Sequence, residues 1–292
     1  MVTDSNNCLT VDSVRIFNND LAADADSSTT VCIGSSIILG TFPTATGGTP
    51  PYSYLWAPSA TLNFDTIANP TATPDTIIDT LTYYVTVTDS SGCSVTDSIL
   101  LSVKPLPSLL DAGIDTVLCA GDTVTIGTGM SVSGGTPPYS YLWTPDTTLD
   151  SGTNQFPNAN PDSTTTYYLT VRDLFLCSSS VDSLIVVVNQ LPIANAGIGD
   201  TICQGASIVI GDSIAGSGGL PPYTFNWLPG TTLDNSTLAN PTATPTSQTS
   251  YVLLVTDSSL CNSIIDTVTI SISNLAADAG PDNSICIGDT IK

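Results

Sequence analysis

The side chains best suited to chemistry in this sequence are eight cysteines that recur at regular spacing. The chain of 292 residues contains no histidine and no C-x-x-C arrangement, so a zinc site is not expected. An even number of regularly spaced cysteines instead predicts disulfide bonds and an oxidising compartment. These residues are Cys8, Cys32, Cys93, Cys119, Cys177, Cys203, Cys261 and Cys286.

The other reactive side chains exclude the common types of catalysis. All 26 acidic residues are aspartate, and without histidine or glutamate neither a Ser-His-Asp triad nor a glutamate acid–base pair can form. The glycine-rich stretches lack the lysine of a phosphate loop. Asp150-Ser151-Gly152, which is similar to an aspartic-protease loop, occurs only once. We therefore expect no enzymatic activity and no cofactor, with calcium the one metal to consider.

Aspartates at recurring positions are candidate calcium ligands, because calcium prefers hard oxygen ligands. The alternative is that these side chains cap turns by accepting hydrogen bonds from nearby backbone, and we favour this interpretation. The candidates are Asp24, Asp89, Asp111, Asp173, Asp200 and Asp257.

The charge and hydropathy of the chain exclude several classes of partner. A net charge of -22 with only four basic residues argues against binding to nucleic acid or to anionic membranes. No apolar run approaches the roughly 20 residues of a membrane span, and no signal peptide is visible. Because Met1 is followed at once by residues typical of the middle of a repeat, we expect the chain to be a piece of a longer protein.

The sequence that contains these residues is a tandem array built on one aromatic motif. The motif Gly134–Trp143 recurs almost unchanged as Gly47–Trp56 and more loosely as Gly218–Trp227, at spacings of 87 and 84 residues. Two glycines and two prolines form a turn, and alternating aromatic residues then follow the period of a strand. We interpret the tryptophans as core residues and not as a ligand platform.

The composition of each repeat predicts an all-β fold. Glutamate is absent and lysine and arginine are scarce, whereas turn formers separate β-branched runs. In the second repeat we predict strands at 116–118, 123–126, 139–143, 167–172 and 180–188, with a turn-rich passage at 145–166. About seven short strands in about 85 residues is typical of an immunoglobulin-like β-sandwich.

The repeats set the expected domain boundaries. Residues 1–20 form the final hairpin of a truncated repeat, and residues 275–292 the opening strand of a further one. Between them lie three immunoglobulin-like repeats, at 21–106, 107–190 and 191–274. Their connections are short and stiffened by proline, which favours a head-to-tail, semi-rigid rod.

Several of these segments resemble a known family. The string Ala194–Asp200, the strand Ser207–Ile210, the Tyr-x-Trp strand and the strand Tyr251–Asp257 resemble PKD/Ig-like repeats. The cysteine-containing variant is similar to repeats of giant secreted surface proteins of Bacteroidota, and the resemblance covers essentially the whole chain. It departs from the pattern at Trp143–Asp146, where many PKD domains carry Trp-Asp-Phe-Gly-Asp. The resemblance implies a secreted or cell-surface location and a stalk, adhesin or spacer role.

The resemblance also implies O-glycosylation, because Asp-Ser/Thr-aliphatic triplets match the acceptor motif of that phylum. A turn aspartate followed by a threonine- or valine-rich strand produces the same pattern, so this alternative stays open. The candidate acceptors are Ser13, Ser98, Thr123, Ser183, Thr201 and Thr267.

Strand topology constrains how the cysteines pair. In an immunoglobulin-type sandwich the two cysteines of one repeat lie at opposite ends, about 20 Å apart for a six-residue strand, whereas bridged Cα atoms lie within about 7 Å. We therefore predict bonds between neighbouring repeats, Cys32–Cys177 and Cys119–Cys261, with the other four cysteines directed toward further repeats. The alternative, which needs a bent first strand, is pairing within repeats: Cys32–Cys93, Cys119–Cys177 and Cys203–Cys261.

Together these observations predict a non-catalytic segment of an extracellular fibre or adhesin shaft. Its expected partners are neighbouring repeats of the same or identical chains, together with glycans. The alternative function is an array of carbohydrate- or surface-binding modules, which should expose aromatic residues or variable loops in every repeat.

Overall fold

The structure, a computed structural model, describes residues 1–15, 18–274, 278 and 287. The described residues form β-strands, turns and irregular segments without a helix, as expected for an all-β fold. A short antiparallel hairpin comes first, with β1 at Val2–Thr3 and β2 at Leu9–Thr10. Eight strands follow in each of the three repeats.

The strands of the three repeats correspond one to one. Repeat 1 contains β3 (Ala22–Ala23), β4 (Thr29–Cys32), β5 (Ile37–Ile38), β6 (Ala45–Thr46), β7 (Ser53–Ala57), β8 (Thr71–Ala72), β9 (Leu81–Thr88) and β10 (Ser94–Lys104). Repeat 2 contains β11 (Pro107–Asp111), β12 (Thr116–Cys119), β13 (Val124–Thr125), β14 (Ser131–Gly134), β15 (Ser140–Thr144), β16 (Asn158–Ala159), β17 (Thr165–Arg172) and β18 (Asp182–Asn189). Repeat 3 contains β19 (Pro192–Ala194), β20 (Asp200–Cys203), β21 (Ile208–Val209), β22 (Gly216–Gly218), β23 (Thr224–Leu228), β24 (Thr242–Ala243), β25 (Thr249–Thr256) and β26 (Asp266–Ser273).

Each repeat forms one four-stranded sheet and two smaller two-stranded sheets. The strand orders of the large sheets are β4-β10-β9-β7, β12-β18-β17-β15 and β20-β26-β25-β23. The first strand of each order runs parallel to the last strand of its repeat, and the remaining pairs described are antiparallel. The sheets therefore give the immunoglobulin-like arrangement that the strand density predicts.

The strand prediction for repeat 2 was incomplete. It omitted β11, β14 and β16, which are short and lie in segments rich in proline, glycine and asparagine. It also began the last strand at Ser180, whereas β18 begins at Asp182 because a bulge precedes it. Short paired segments of this kind carry too few residues to show a period of two.

The motif tryptophans lie in the core. Trp56, Trp143 and Trp227 are at most 1% exposed, and one tyrosine per repeat, Tyr83, Tyr167 or Tyr251, is fully buried. The hydroxyls of Tyr167 and Tyr251 each contact a threonine hydroxyl at 2.6 Å, so the polar end of each ring has a partner. The aromatic strand face is therefore interior packing.

By spatial contacts the described chain divides into two compact units. One comprises Met1–Ile114, Ile126–Pro157 and Tyr167–Leu184, and the other Asp115–Thr125, Asn158–Thr166 and Ile185–Lys292. The first unit therefore contains repeat 1 with part of repeat 2, and the second contains the rest of repeat 2 with repeat 3.

Candidate functional site: disulfide staples and aspartate hairpins

Two disulfide bonds join neighbouring repeats, and we call them staples. Cys32 is bonded to Cys177, and Cys119 is bonded to Cys261, with a Cα–Cα distance of 5.6 Å in each bond. Each bond lies within one compact unit. These are the same pairs as in the prediction of bonds between neighbouring repeats.

Strand geometry explains why the cysteines of one repeat do not pair. In repeat 1, Cys93 directly precedes β10, and Cys32 lies opposite Lys104 at the other end of that strand. The 11 residues of β10 span about 36 Å at about 3.3 Å per residue, far beyond the Cα separation of a disulfide. Repeat 3 shows the same arrangement, since Cys203 lies opposite Ser273 and Cys261 precedes β26.

The remaining cysteines of the described chain are unpaired. Cys8, Cys93 and Cys203 are free and exposed, so the alternative bonds Cys32–Cys93 and Cys203–Cys261 are not present. Cys286 lies outside the described residues. By contrast, the stapled Cys177 and Cys261 are each only 1% exposed.

A cation–π contact accompanies the first staple. The Nζ atom of Lys104 lies 5.1 Å from the centroid of the Phe175 ring. Lys104 is the strand partner of Cys32, and Phe175 stands two residues before Cys177. This contact therefore joins the same two repeats as the staple, with one of the four basic side chains of the chain.

An aspartate holds each cysteine-bearing hairpin in place. One carboxylate oxygen of Asp173 accepts hydrogen bonds from the Phe175 and Cys177 N–H groups, at 2.9 and 3.0 Å, and the other accepts one from the Thr136 N–H at 2.9 Å. Asp89 and Asp257 make the corresponding three bonds in their own repeats. Each aspartate thus fixes the cysteine backbone and ties the hairpin to the loop that follows the Gly-Gly pair.

The hydrogen bonds of two of these hairpin aspartates shift their pKa values. Burial alone raises the pKa of Asp257, but N–H donors of Leu220, Cys261 and Ser259 outweigh it and hold the pKa below its usual value. The pKa of Asp89 lies well below its usual range, chiefly because the Asn19 side-chain amide donates to its carboxylate at 2.6 Å. The ionised form is therefore the one that the folded hairpin favours.

The residue before each hairpin cysteine has a left-handed backbone conformation. Asn7 and Gly92, with φ of 65° and 89°, are residue types that tolerate this region. Leu176 and Leu260 adopt φ of 63° and 66°, although a bulky side chain is strained there. The residues on either side of it donate N–H hydrogen bonds to the hairpin aspartate, and these bonds hold the turn in this shape.

A bulge with a buried serine follows the stapled cysteines. Asp97 stands four positions after Cys93, but Asp182 and Asp266 stand five positions after Cys177 and Cys261. Ser263 accommodates the extra residue: its hydroxyl accepts a hydrogen bond from the Val255 N–H at 3.0 Å. Ser179 makes the same bond with Val171. The bulge was not foreseen, although the spacing difference was its signal.

The six candidate calcium ligands accept hydrogen bonds from backbone N–H groups. Besides the three hairpin aspartates, Asp24, Asp111 and Asp200 each accept a hydrogen bond from an N–H one or two residues later. Within the described residues, no three acidic or cysteine side chains come together in a way that could hold a metal ion. Each of these carboxylates therefore accepts hydrogen bonds of the kind that cap turns.

Three aspartates of the Asp-Ser/Thr-aliphatic triplets make structural hydrogen bonds that the sequence analysis did not predict. Asp97, Asp182 and Asp266 each accept a hydrogen bond at 2.8 Å from an alanine N–H near the start of their repeat, at Ala25, Ala112 and Ala196 respectively. Their similar spacing from the partner alanine, 72, 70 and 70 residues respectively, was the available signal. The hydroxyl residues of all six triplets are exposed, namely Ser13, Ser98, Thr123, Ser183, Thr201 and Thr267.

Comparisons with known proteins found similar solved structures and a family model that matches part of the chain. The chain is similar to titin domains I67–I69, at 16% identity over 89% of this chain and all of that one, with a TM-score of 0.43. It is also similar to the N-terminal eight domains of Down syndrome cell adhesion molecule, at 14% identity over 87% of this chain and 36% of that one, again with a TM-score of 0.43. No curated protein sequence matches. A family model described as the SprB repeat, a surface-protein repeat, matches residues 129–148, which include the Gly134–Trp143 motif.

Proposed function

We propose that this chain is a structural segment of an extracellular fibre or adhesin shaft. The observation that carries the proposal is the pair of staples, because each joins two successive repeats by a second covalent bond besides the linker. A shaft must keep its repeats together under tension. Repeats that contact only their neighbours depend for this on the junctions between them. The match of a surface-protein repeat to the central motif supports the same role.

We also propose that the chain is non-catalytic and lies outside the cell. The sequence has neither histidine nor glutamate for acid–base chemistry, and disulfide bonds persist in oxidising compartments. No helix among the described residues has the length and apolar character needed to pass through a bilayer. We further propose PKD-like repeats of a giant secreted protein of Bacteroidota, on the sequence resemblance described above.

Small-angle X-ray scattering of the purified, oxidised chain tests the shaft role. We expect an elongated particle whose maximum dimension grows in proportion to the number of repeats when one repeat is added or removed. A particle with the radius of gyration of a compact globule of 292 residues, roughly 19 Å, would exclude it.

O-glycosylation is part of the proposed surface role. Its support is that all six candidate hydroxyls are exposed, which a modifying enzyme requires. Intact mass spectrometry of protein from its native host should show added hexose-type masses, lost when the triplet aspartates Asp12 and Asp122 and their counterparts are changed to alanine. A mass equal to the bare polypeptide would rule the modification out.

The alternative role is an array of carbohydrate-binding modules, and exposed tyrosines favour it. Tyr84 and Tyr168 are 51% and 49% exposed on equivalent strand positions. Repeat 3 has Val252 at that position, so the feature does not recur in every repeat. Glycan-array binding that is lost in Tyr84→Ala and Tyr168→Ala would support the alternative over the shaft.

A further inference from the structure

The positions of the two staples along the chain divide it into extended segments and closed loops. A hairpin cysteine and the first-turn cysteine of the next repeat are separated by 26 residues in both Cys93–Cys119 and Cys177–Cys203. The staples connect such segments end to end, because Cys32 is bonded to Cys177 and Cys119 to Cys261. The intervening residues 33–92, 120–176 and 204–260 lie between these segments.

Two covalent paths result, and we call them tethers. The first tether runs from Cys8 to Cys32, crosses the staple to Cys177 and continues to Cys203. The second runs from Cys93 to Cys119, crosses the staple to Cys261 and continues along β26. Neither tether includes the core tryptophans, because Trp56, Trp143 and Trp227 all lie in the residues between.

Two segments of the tethers, Cys93–Cys119 and Cys177–Cys203, consist largely of strands in the folded protein. Between Cys93 and Cys119 the second tether consists mainly of β10, β11 and β12, which have 11, 5 and 4 residues. Between Cys177 and Cys203 the first tether contains β18, β19 and β20, with 8, 3 and 4 residues. Strands have a rise of about 3.3 Å per residue, near the limit of about 3.6 Å, so little slack remains in them.

In every repeat the two tethers are hydrogen-bonded to each other. In repeat 1, β4 of the first tether pairs with β10 of the second, in parallel register from Thr29–Leu101 to Cys32–Lys104. In repeat 2 the strands are β18 and β12, and in repeat 3 they are β20 and β26, again parallel. Both tethers therefore cross each repeat in the same direction, side by side.

We propose that this protein carries tension through two continuous covalent tethers, each alternating between the last strand of one repeat and the first strands of the next. Unfolding of a sandwich then releases little length, because most of the residues that would unravel lie in loops closed by the staples. The biological use of the device rests on the proposed shaft role, whereas the tethers themselves follow from the staples and the strand pairing.

Single-molecule force spectroscopy tests the tethers with the full-length oxidised chain. The chain is held by an N-terminal tag and by the exposed Cys203 thiol, with Cys8, Cys93 and Cys286 changed to serine. The path from Met1 to Cys32 and from Cys177 to Cys203 comprises about 57 residues, so we expect a limiting extension of about 200 Å. The chain without staples should extend to about 700 Å, in steps of about 300 Å per repeat.

Variants that lack one staple should change the limiting extension for one pair of anchors and not for the other. Cys32→Ser/Cys177→Ser should raise the limiting extension between these anchors to above about 600 Å, whereas Cys119→Ser/Cys261→Ser should leave it unchanged. Holding the chain by Cys93 and a C-terminal tag, with Cys8, Cys203 and Cys286 changed to serine, should reverse the roles of the two variants.

The proposal is overturned if the oxidised chain lengthens in steps of about 300 Å, or if each staple variant affects both anchor pairs alike. A failure of the shaft role would be seen separately, because a compact particle in X-ray scattering can still give the short, staple-dependent extensions.

Discussion

At the scale of single residues, the hairpin aspartates set the geometry on which the staples depend. Asp89, Asp173 and Asp257 are at most 4% exposed, yet each carboxylate has at least three backbone donors. A buried carboxylate is tolerated when such bonds replace its hydration. Aspartate is suited to this position because its side chain reaches the N–H groups two and four residues later.

The pH dependence of stability should reveal the Asp257 bonds. Because the folded-state pKa of Asp257 is lowered, its ionised form stabilises the fold above the unfolded pKa of about 3.9, and this contribution is lost as pH falls through the folded value. Asp257→Asn should therefore destabilise the protein at pH 7, and the difference from the parent should shrink below about pH 4. Urea unfolding at several pH values measures this, with the exposed Asp79→Asn as control. A difference that stays constant down to pH 2 would contradict the assignment.

The leucines with a left-handed backbone conformation provide a second prediction for single residues. Leu260 is 80% exposed and has a positive φ, so Leu260→Gly should relieve strain of about 1 kcal/mol and raise the melting temperature. The reverse change, Gly92→Leu, should lower it by a similar amount, since a Cβ at Gly92 meets no atom within 4 Å and only the backbone is strained. Equal effects of the same sign in the two variants would show that side-chain packing, and not φ, decides.

At the scale of elements, the last strand of each repeat organises the sandwich. It pairs with the preceding strand on one side and with the first-turn strand on the other, and it separates the two cysteines of its repeat. In repeats 2 and 3 the one-residue bulge is placed between the stapled cysteine and the aspartate that anchors the start of the repeat. The serine hydroxyl satisfies an N–H that the bulge would otherwise leave without a partner.

Removing the bulge hydroxyl should be costly. Ser263→Ala leaves the Val255 N–H, at a fully buried residue, without its side-chain acceptor, and such an orphaned donor costs about 1–3 kcal/mol. Chemical denaturation should show this loss, whereas Ser247→Ala on an exposed turn should change stability by less than about 0.5 kcal/mol. An unchanged midpoint for Ser263→Ala would mean that the strand reforms without the bulge.

The elements show where sequence reasoning succeeds and where it fails. The long strands β9, β17 and β25 and their buried tyrosines follow from alternation, which eight residues display clearly. The two-residue strand β16, which the prediction missed, has no detectable period, because only tertiary pairing defines it. The hairpin aspartates were noticed for their charge, but their role depends on N–H donors 37 to 40 residues away, which local spacing does not reveal.

At the scale of the whole molecule, the staples close loops that span 145 and 142 residues of sequence. The two loops overlap in residues 119–177, all within repeat 2, and each repeat junction is spanned by the linker and by one staple. In the chain-entropy account, a loop of this size stabilises the folded state by about 4–5 kcal/mol, because the unfolded chain is constrained.

Breaking one staple should therefore lower stability markedly without dismantling the sandwiches. Cys119→Ser/Cys261→Ser should lose up to about 4–5 kcal/mol in calorimetry or denaturant titration, and its far-ultraviolet circular dichroism should stay that of a β-protein. Cys8→Ser, which removes a free exposed thiol, serves as control. If the staple variant melts at the same temperature as the parent, the disulfide makes no contribution to holding the repeats.

The interleaved bonds also bear on the order in which the chain is synthesised, folded and oxidised. As the chain emerges, Cys93 is the first cysteine to follow Cys32, and the correct partner Cys177 follows only 84 residues after Cys93, several seconds or more at about 5–20 residues per second. Once β10 has formed, it holds the thiols of Cys32 and Cys93 at opposite ends of one strand. We therefore expect each repeat to fold before it is oxidised, with each junction closed only after the next repeat has been made.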